Sequence, residues 1–205
     1  MNYGELKAAV QSYLYDRSDL ATVIPTFISM AERKLFRQLR VPANERIVHF
    51  TAHEGAIDLP TDFLEAKLLT ADGVPLVRIT DLAHLNSQDK KPAAGVPREF
   101  SRIGAQLHLY PNPDYPVDAA LVYWADMSGL LTNDADTHEV LRCASDVYLH
   151  GALVEASAYL GQDSRIPVWQ AKYNEGLMAI AQQAAEAEHA GSVIAIRNAY
   201  PDRRG

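Results

Sequence analysis

One cysteine, Cys143, stands among 205 residues. A single thiol rules out an internal disulfide, so the fold must rest on its core, and a reducing compartment is expected. No stretch approaches the ~20 apolar residues that span a bilayer. The opening MNYGELKAAV lacks both the basic and the apolar parts of a secretory signal. The expectation is a soluble protein with no membrane partner. Glycine-rich phosphate loops are missing: IGAQL (103–107) and ADGVP (71–75) read as turns, not as strand-to-helix fingerprints. There is no G-x-S-x-G elbow and no H-E-x-x-H helix. The chain is therefore expected to be no enzyme and to need no cofactor. Positive charge is also short. Lys and Arg number 19 against 26 Asp and Glu, a net charge of −7, so bulk attraction does not draw the molecule to nucleic acid. Contact with DNA would need a local basic patch. Internal repeats and low-complexity stretches are absent.

What is present is a globular composition, 48% hydrophobic and 22% charged, enough for a substantial core. The hydrophobic period changes twice along the chain. Leu6, Ala9, Val10, Tyr13 and Leu14 recur at helical spacing, and Asn2 with Glu5 has the form of a capping box. DRSD (16–19) interrupts that helix. A second is expected from Pro25, with Ile24, Phe27, Ile28, Ala31, Leu35 and Leu39 on one side, giving an antiparallel helical hairpin.

Strand chemistry follows. RIVHFTA (46–52) and AIDLP (56–60) flank His53-Glu54-Gly55 as an expected hairpin. AKLLTADGVPLVRI (66–79) sets Asp72-Gly73 between apolar runs, a strong hairpin signal, with Pro75 confining its strand to an edge or bulge. TDLAHLNS (80–87) reads as a helical turn or two. REFSRIGAQLHLY (98–110) is a further hairpin, and VDAALVYW (117–124) alternates with Val117, Ala119, Leu121 and Tyr123 on one face.

Helical spacing returns after Asp136 and Glu139, which resemble a second capped start. Val140, Ala144, Val147, Tyr148, Gly151, Ala158 and Tyr159 then read as one long helix. LGQDSRIP (160–167) breaks it. A last helix opens at Pro167, carries Trp169, Tyr173, Leu177, Ile180 and Ala184, and stops at Gly191. The expected class is α+β, mainly α. An antiparallel helical bundle is built from residues 1–42 and 136–191, with an antiparallel β module inserted at 43–127 and an extended C-terminal arm at 192–205.

Candidate chemistry is sparse. Cys143, Asp146 and His150 fall at spacings of three and four, which would suit a metal-dependent protein or an imidazole-activated thiol. No second ligand pair accompanies them, and a small buried thiol with two surface polar groups is the simpler expectation. His49 and His53 lie in a strand and a turn and need not converge. Arg33, Arg37 and Arg40, with Lys34 beside them, form a basic stripe that would suit a DNA-binding regulator or an acidic partner, or would simply be a solvated face near a helix C-terminus.

The chain closes with GSVIAIRNAYPDRRG (191–205), apolar and β-branched beyond a helix stop. Such a segment either folds back on its own chain or adds to another molecule. In the second case Val193, Ile194, Ile196, Arg197, Tyr200, Arg203 and Arg204 would form the partner interface.

Taken in order, YGELKAAVQSYL (3–14), IPTFISMAERKLFRQLRV (24–41), LPTDFLEAKLL (59–69), LHLYPNP (107–113), LVYWADMSGLL (121–131) and DVYLHGALVEASAYL (146–160) resemble the head-to-tail adaptors, or connectors, of tailed bacteriophages. The resemblance implies a structural virion protein. Such a protein sits in the neck, with copies assembled as a ring beneath the dodecameric portal. Expected partners are the portal protein, neighbouring adaptor copies and a downstream tail or nozzle protein. DNA would pass through without specific binding, and the protein would occupy the host cytoplasm during assembly. The arm would order on the portal or a neighbour, and Arg33, Lys34, Arg37 and Arg40 would face portal carboxylates or the channel. The family supplies no catalytic residues.

Overall fold

The computed structural model describes residues 1–53, 55–80, 94–161 and 164–189. The helical turn expected in TDLAHLNS, from Asp81 onward, and the whole arm 192–205 lie outside the described residues.

Helix α1 (Tyr3–Tyr13) begins as its sequence demands. Asn2 accepts from the Glu5 amide at 2.8 Å, and Glu5 accepts from the Asn2 amide at 3.0 Å, so two otherwise free donors are satisfied reciprocally. Leu6 and Val10 face inward and are fully buried. Tyr15 and Asp16, both left-handed at φ 60° and 53°, end the run. Helix α2 (Ile24–Gln38) has proline in its first turn and buries Phe27, Ile28, Ala31, Leu35 and Phe36.

The long helix expected after Asp136 is two helices, α3 (Glu139–Cys143) and α4 (Ser145–Leu160), separated at Ala144, whose φ of −128° and ψ of 33° are not helical. Asp136 is not the cap of α3. Its carboxylate instead accepts from the amides of Thr132 and Asn133 and from the Thr132 hydroxyl, fixing the preceding turn. The cap is His138, whose Nδ1 accepts from the Leu141 amide at 3.2 Å. Helix α4 is central, with α2 and α5 (Ile166–His189) packed against it. Close approach is set by small residues. A Cβ on Gly151 would stand 3.0 Å from that of Ala31, and one on Gly176 would stand 2.7 Å from a Val147 methyl. The outer part of the expected stripe is displaced: Ala158 and Tyr159 are exposed, and Ala156 and Ser157 are buried.

The strands are β1 (Glu45–Ala52), β2 (Ala56–Asp58), β3 (Phe63–Ala71), β4 (Val74–Pro75), β5 (Val77–Arg78), β6 (Glu99–Ile103), β7 (Gln106–Tyr110) and β8 (Val117–Ala125). They make two four-stranded sheets, ordered β1-β8-β3-β4 and β2-β7-β6-β5. The β3–β4 hairpin turns at Asp72 and Gly73, both at positive φ (49° and 79°), as a two-residue turn between right-twisted strands requires. Pro75 sits on an edge strand, where its missing N–H does no harm. The β6–β7 hairpin also forms as expected.

The hairpin expected of β1 and β2 does not form. The eight residues of β1 pair instead with β8, and β2 pairs with β7 in the other sheet. Crossing between sheets also occurs at buried Leu76, between β4 and β5, and the β5–β6 pairing that follows is parallel. Val117, Ala119, Leu121 and Tyr123 of β8, with Leu69 and Ala71, meet Ile57, Phe100, Leu107 and Leu109 of the second sheet in one core.

The expected class is corrected accordingly. Helix makes up 44% and strand 25% of the described residues. With two sheets stacked over their own core, the molecule is an α+β fold and not a mainly helical bundle. Alternation along each strand is a local signal, but the number of sheets depends on distant pairings such as β1 with β8. Among the described residues no helix is long and apolar enough to cross a membrane.

Candidate interaction surfaces

The basic stripe of α2 divides in two. Arg40 is committed to structure. Its Nε donates to Glu65 of β3 at 3.1 Å, and its Nη1 donates to the carbonyls of Phe36 and Leu39 that the helix end leaves free. Lys34 lies 3.9 Å from Glu155 of α4 and 5.7 Å from the centre of the Tyr173 ring. Arg33 and Arg37 remain exposed, the latter donating back to the Arg33 carbonyl at 3.2 Å. Of the four cations of the stripe, Arg33 and Arg37 are outward, while Lys34 and Arg40 lean on Glu155 and Glu65.

Cys143, Asp146 and His150 do not share one helix, because the break at Ala144 leaves the cysteine on α3. Cys143 is exposed rather than buried as expected, on the outer side of the short α3, with its Sγ 3.9 Å from Glu139. His150 turns the other way and stacks on Trp169, ring centres 6.0 Å apart. Burial, then the nearby Lys172 charge, lowers its pKa from the ordinary value. Among the described residues no three His, Cys, Asp or Glu side chains gather as a metal site would require. His49 lies on β1, and His53 follows the strand.

Two arrangements were not anticipated from sequence. The first is buried. Glu32, 2% exposed, accepts from the Gly129 amide at 2.9 Å and from the Tyr148 hydroxyl at 3.4 Å, and lies 3.5 Å from His138 Nε2. Tyr148 and His138 meet at 3.2 Å. Since His138 Nδ1 accepts from Leu141, the ring proton of the neutral imidazole sits on Nε2 and points at this pair. Burial and then the Glu32 carboxylate push the Tyr148 pKa far upward, so the phenol remains a donor. A single charged residue among Ile28, Ala31, Leu35 and Phe36 was the signal in the sequence.

The second arrangement is exposed. Where α1 ends and α5 begins, Trp169 meets Tyr13 edge-on at 5.6 Å. The Arg165 guanidinium lies over both Tyr15 (4.9 Å) and Trp169 (5.6 Å). Tyr15 is 78% exposed and Tyr159, against Phe27, is 64% exposed. Helices α2 and α5 run from this aromatic end to the sheets. There Arg40 holds Glu65, and Lys67 pairs with both Glu45 of β1 and Glu188 near the end of α5. Buried Asn44 completes the joint, accepting from the Val41 amide and donating to the Ala125 carbonyl at the end of β8. The molecule thus has two chemically different ends, and the chain leaves α5 at the sheet end. The arm residues Val193, Ile194, Ile196, Arg197, Tyr200, Arg203 and Arg204 lie outside the described residues.

A family model described as SU10 adaptor protein matches residues 1–197. The match takes in every described helix and strand and continues into the arm as far as Arg197. No curated protein matches the chain.

Proposed function

The chain belongs to the SU10 adaptor family of phage head-to-tail adaptors, and from that premise we propose that it is a ring-forming neck subunit. It stands beneath the portal, joins head to tail and extends the channel through which DNA passes. The observation that carries the reading is the match over residues 1–197, which leaves no large part of the chain to another function.

The physical features agree with it. A closed ring of identical copies is a heterologous assembly, so each subunit needs two unlike lateral surfaces as well as a top and a bottom. The aromatic end and the sheet end supply two unlike poles. A net charge of −7 suits a passage along which DNA slides without adhering. The arm, with Ile194, Ile196 and Tyr200 as its apolar anchors, reaches the portal or the next copy, and its ordering cost falls at the moment of assembly. Arg33 and Arg37, outward on α2, face portal carboxylates or the channel.

Sedimentation of the purified protein, alone and with the portal ring from the same genome, tests this. The expected result is a free monomer that joins the portal at one copy per portal subunit. A protein that ignores the portal overturns the reading. Deleting residues 192–205 is expected to abolish joining while lowering the Tm of the free chain by no more than about 5 °C. Loss of folding on deletion would make the arm a core element instead.

A further inference from the structure

An apolar cleft of about 200 Å³ opens beneath the C-terminal half of α5. Its walls are Val41 and Pro42 after α2, Val140 and Ala144 of the α3 segment, and Ile180 and Ala184 of α5. No wall residue carries a charge; Gln183 and Cys143 supply the polar and thiol edges. The volume suits one or two branched side chains and falls short of the room a small-molecule site usually offers.

The chain itself passes the mouth of this cleft. Ala187 lines it, and the next residue, Glu188, is tied through Lys67 to Glu45, which fixes where α5 ends against the first sheet. The five residues that follow Gly191, Ser192 to Ile196, can extend to roughly 17 Å. The cleft-lining stretch of α5, Ile180 to Ala187, is about 10 Å long at helical rise. Were the chain to reverse at Gly191, a residue whose backbone is unrestricted, that stretch would have the reach to run back along the last two turns of α5. Ser192 to Ile196 carry no charge, matching the walls, and the first cation, Arg197, falls beyond them.

We propose that in the free chain Val193 to Ile196 dock in this cleft of their own molecule, so that arm and cleft cover one another until a partner competes for the arm. The clasp keeps an adhesive segment from uncontrolled association and makes its release a step in assembly. It is read on the free chain with no portal present, so it stands or falls separately from the arm's role at the neck.

The only thiol in the chain reports on it, because Cys143 is in the cleft wall. Labelling of Cys143 by a maleimide should be about tenfold slower in the native chain than in an Ile194→Asp/Ile196→Asp variant, the ratio for a clasp closed about ten times as often as open. Equal rates overturn the proposal. Protection that grows with protein concentration also overturns it, by assigning the cleft to a second copy's arm. Mild oxidation of Ile194→Cys gives the independent check. A disulfide to Cys143 within a monomer is expected, while Arg204→Cys should give little. Disulfide-linked dimers, or equal yields from the two positions, count against the clasp. Both substitutions lie in the arm beyond α5, and an unchanged Tm confirms that the fold persists.

Discussion

The helical side and the sheet side of this molecule are held together by different means. Among the described residues, Glu32, His138 and Ser157 are buried polar groups of the helical side and Asn44 is one at the joint, whereas the sheet core holds only Ser101. Sheets take their register from alternation. Slipping β8 by one residue would turn Val117, Ala119, Leu121 and Tyr123 to the surface, so apolar patterning alone specifies the pairing. Packed helices can slide and rotate at less cost, and here a directional network removes that freedom. Glu32 on α2 is bonded at once to Gly129, in the segment arriving from the sheets, and to Tyr148 on α4, beside His138 at the start of α3. The difference teaches that one fold can use hydrophobic pattern where hydrogen-bond ladders already fix geometry, and buried polar contacts where they do not.

The largest expected effect breaks the helical side. Glu32→Ala should lower stability by about 4 kcal/mol, because the Gly129 amide and the Tyr148 hydroxyl are left as two buried donors without an acceptor. Glu32→Gln, which keeps an acceptor, should cost less than half as much. Denaturant titration of the three proteins checks both. On the sheet side, Leu121→Ala leaves a cavity in an otherwise apolar core and should cost about 3 kcal/mol with no polar partner stranded. If Glu32→Ala proved cheaper than Leu121→Ala, the contrast between the two sides would collapse.

A smaller effect is expected at the joint. Arg40→Ala removes a part-exposed ion pair and two carbonyl contacts, for about 1 kcal/mol. A value near zero would mean that Lys67 and Asn44 hold the joint without it. The smallest effect concerns pH. His150 has a folded pKa below its unfolded value of 6.5, so the unfolded chain takes up the proton first as pH falls. Its contribution is fully present above that pH and is lost on acidification through the window below it. His150→Phe, which keeps the stack on Trp169, should therefore lose less Tm than the native chain between pH 7.5 and 5 in thermal melts.

Local rules made much of the fold legible. The Asn2–Glu5 cap, the Asp72-Gly73 turn and the alternation of β8 each depend on residues a few positions apart, and each stands in the structure as read. Pairings between distant segments were not legible: nothing within RIVHFTA announces that its partner is β8 rather than AIDLP. His138 was missed because imidazole rarely caps a helix, while Asp136, the better capping residue, is engaged by Thr132 and Asn133. The basic stripe was visible as a pattern. Which of its cations were already engaged was not, since Glu65 and Glu155 come from elements far along the chain.

The way the two sheets are joined has a consequence for solubility. On one flank β1 runs on into β2 across the gap between sheets, and on the other β4 runs on into β5 through Leu76, so each seam is spanned by continuous chain. Of the four edge strands, β2, β4 and β5 are only three, two and two residues long, while β1 presents eight. The three short edges offer little backbone for a stranger to zip onto, which leaves β1 as the one long edge among the described strands. In a protein that, on the function proposed, stands shoulder to shoulder with identical copies, neighbours meeting at the three short edges must recognise one another through side chains. Crowding them together seeds no fibre through those three edges.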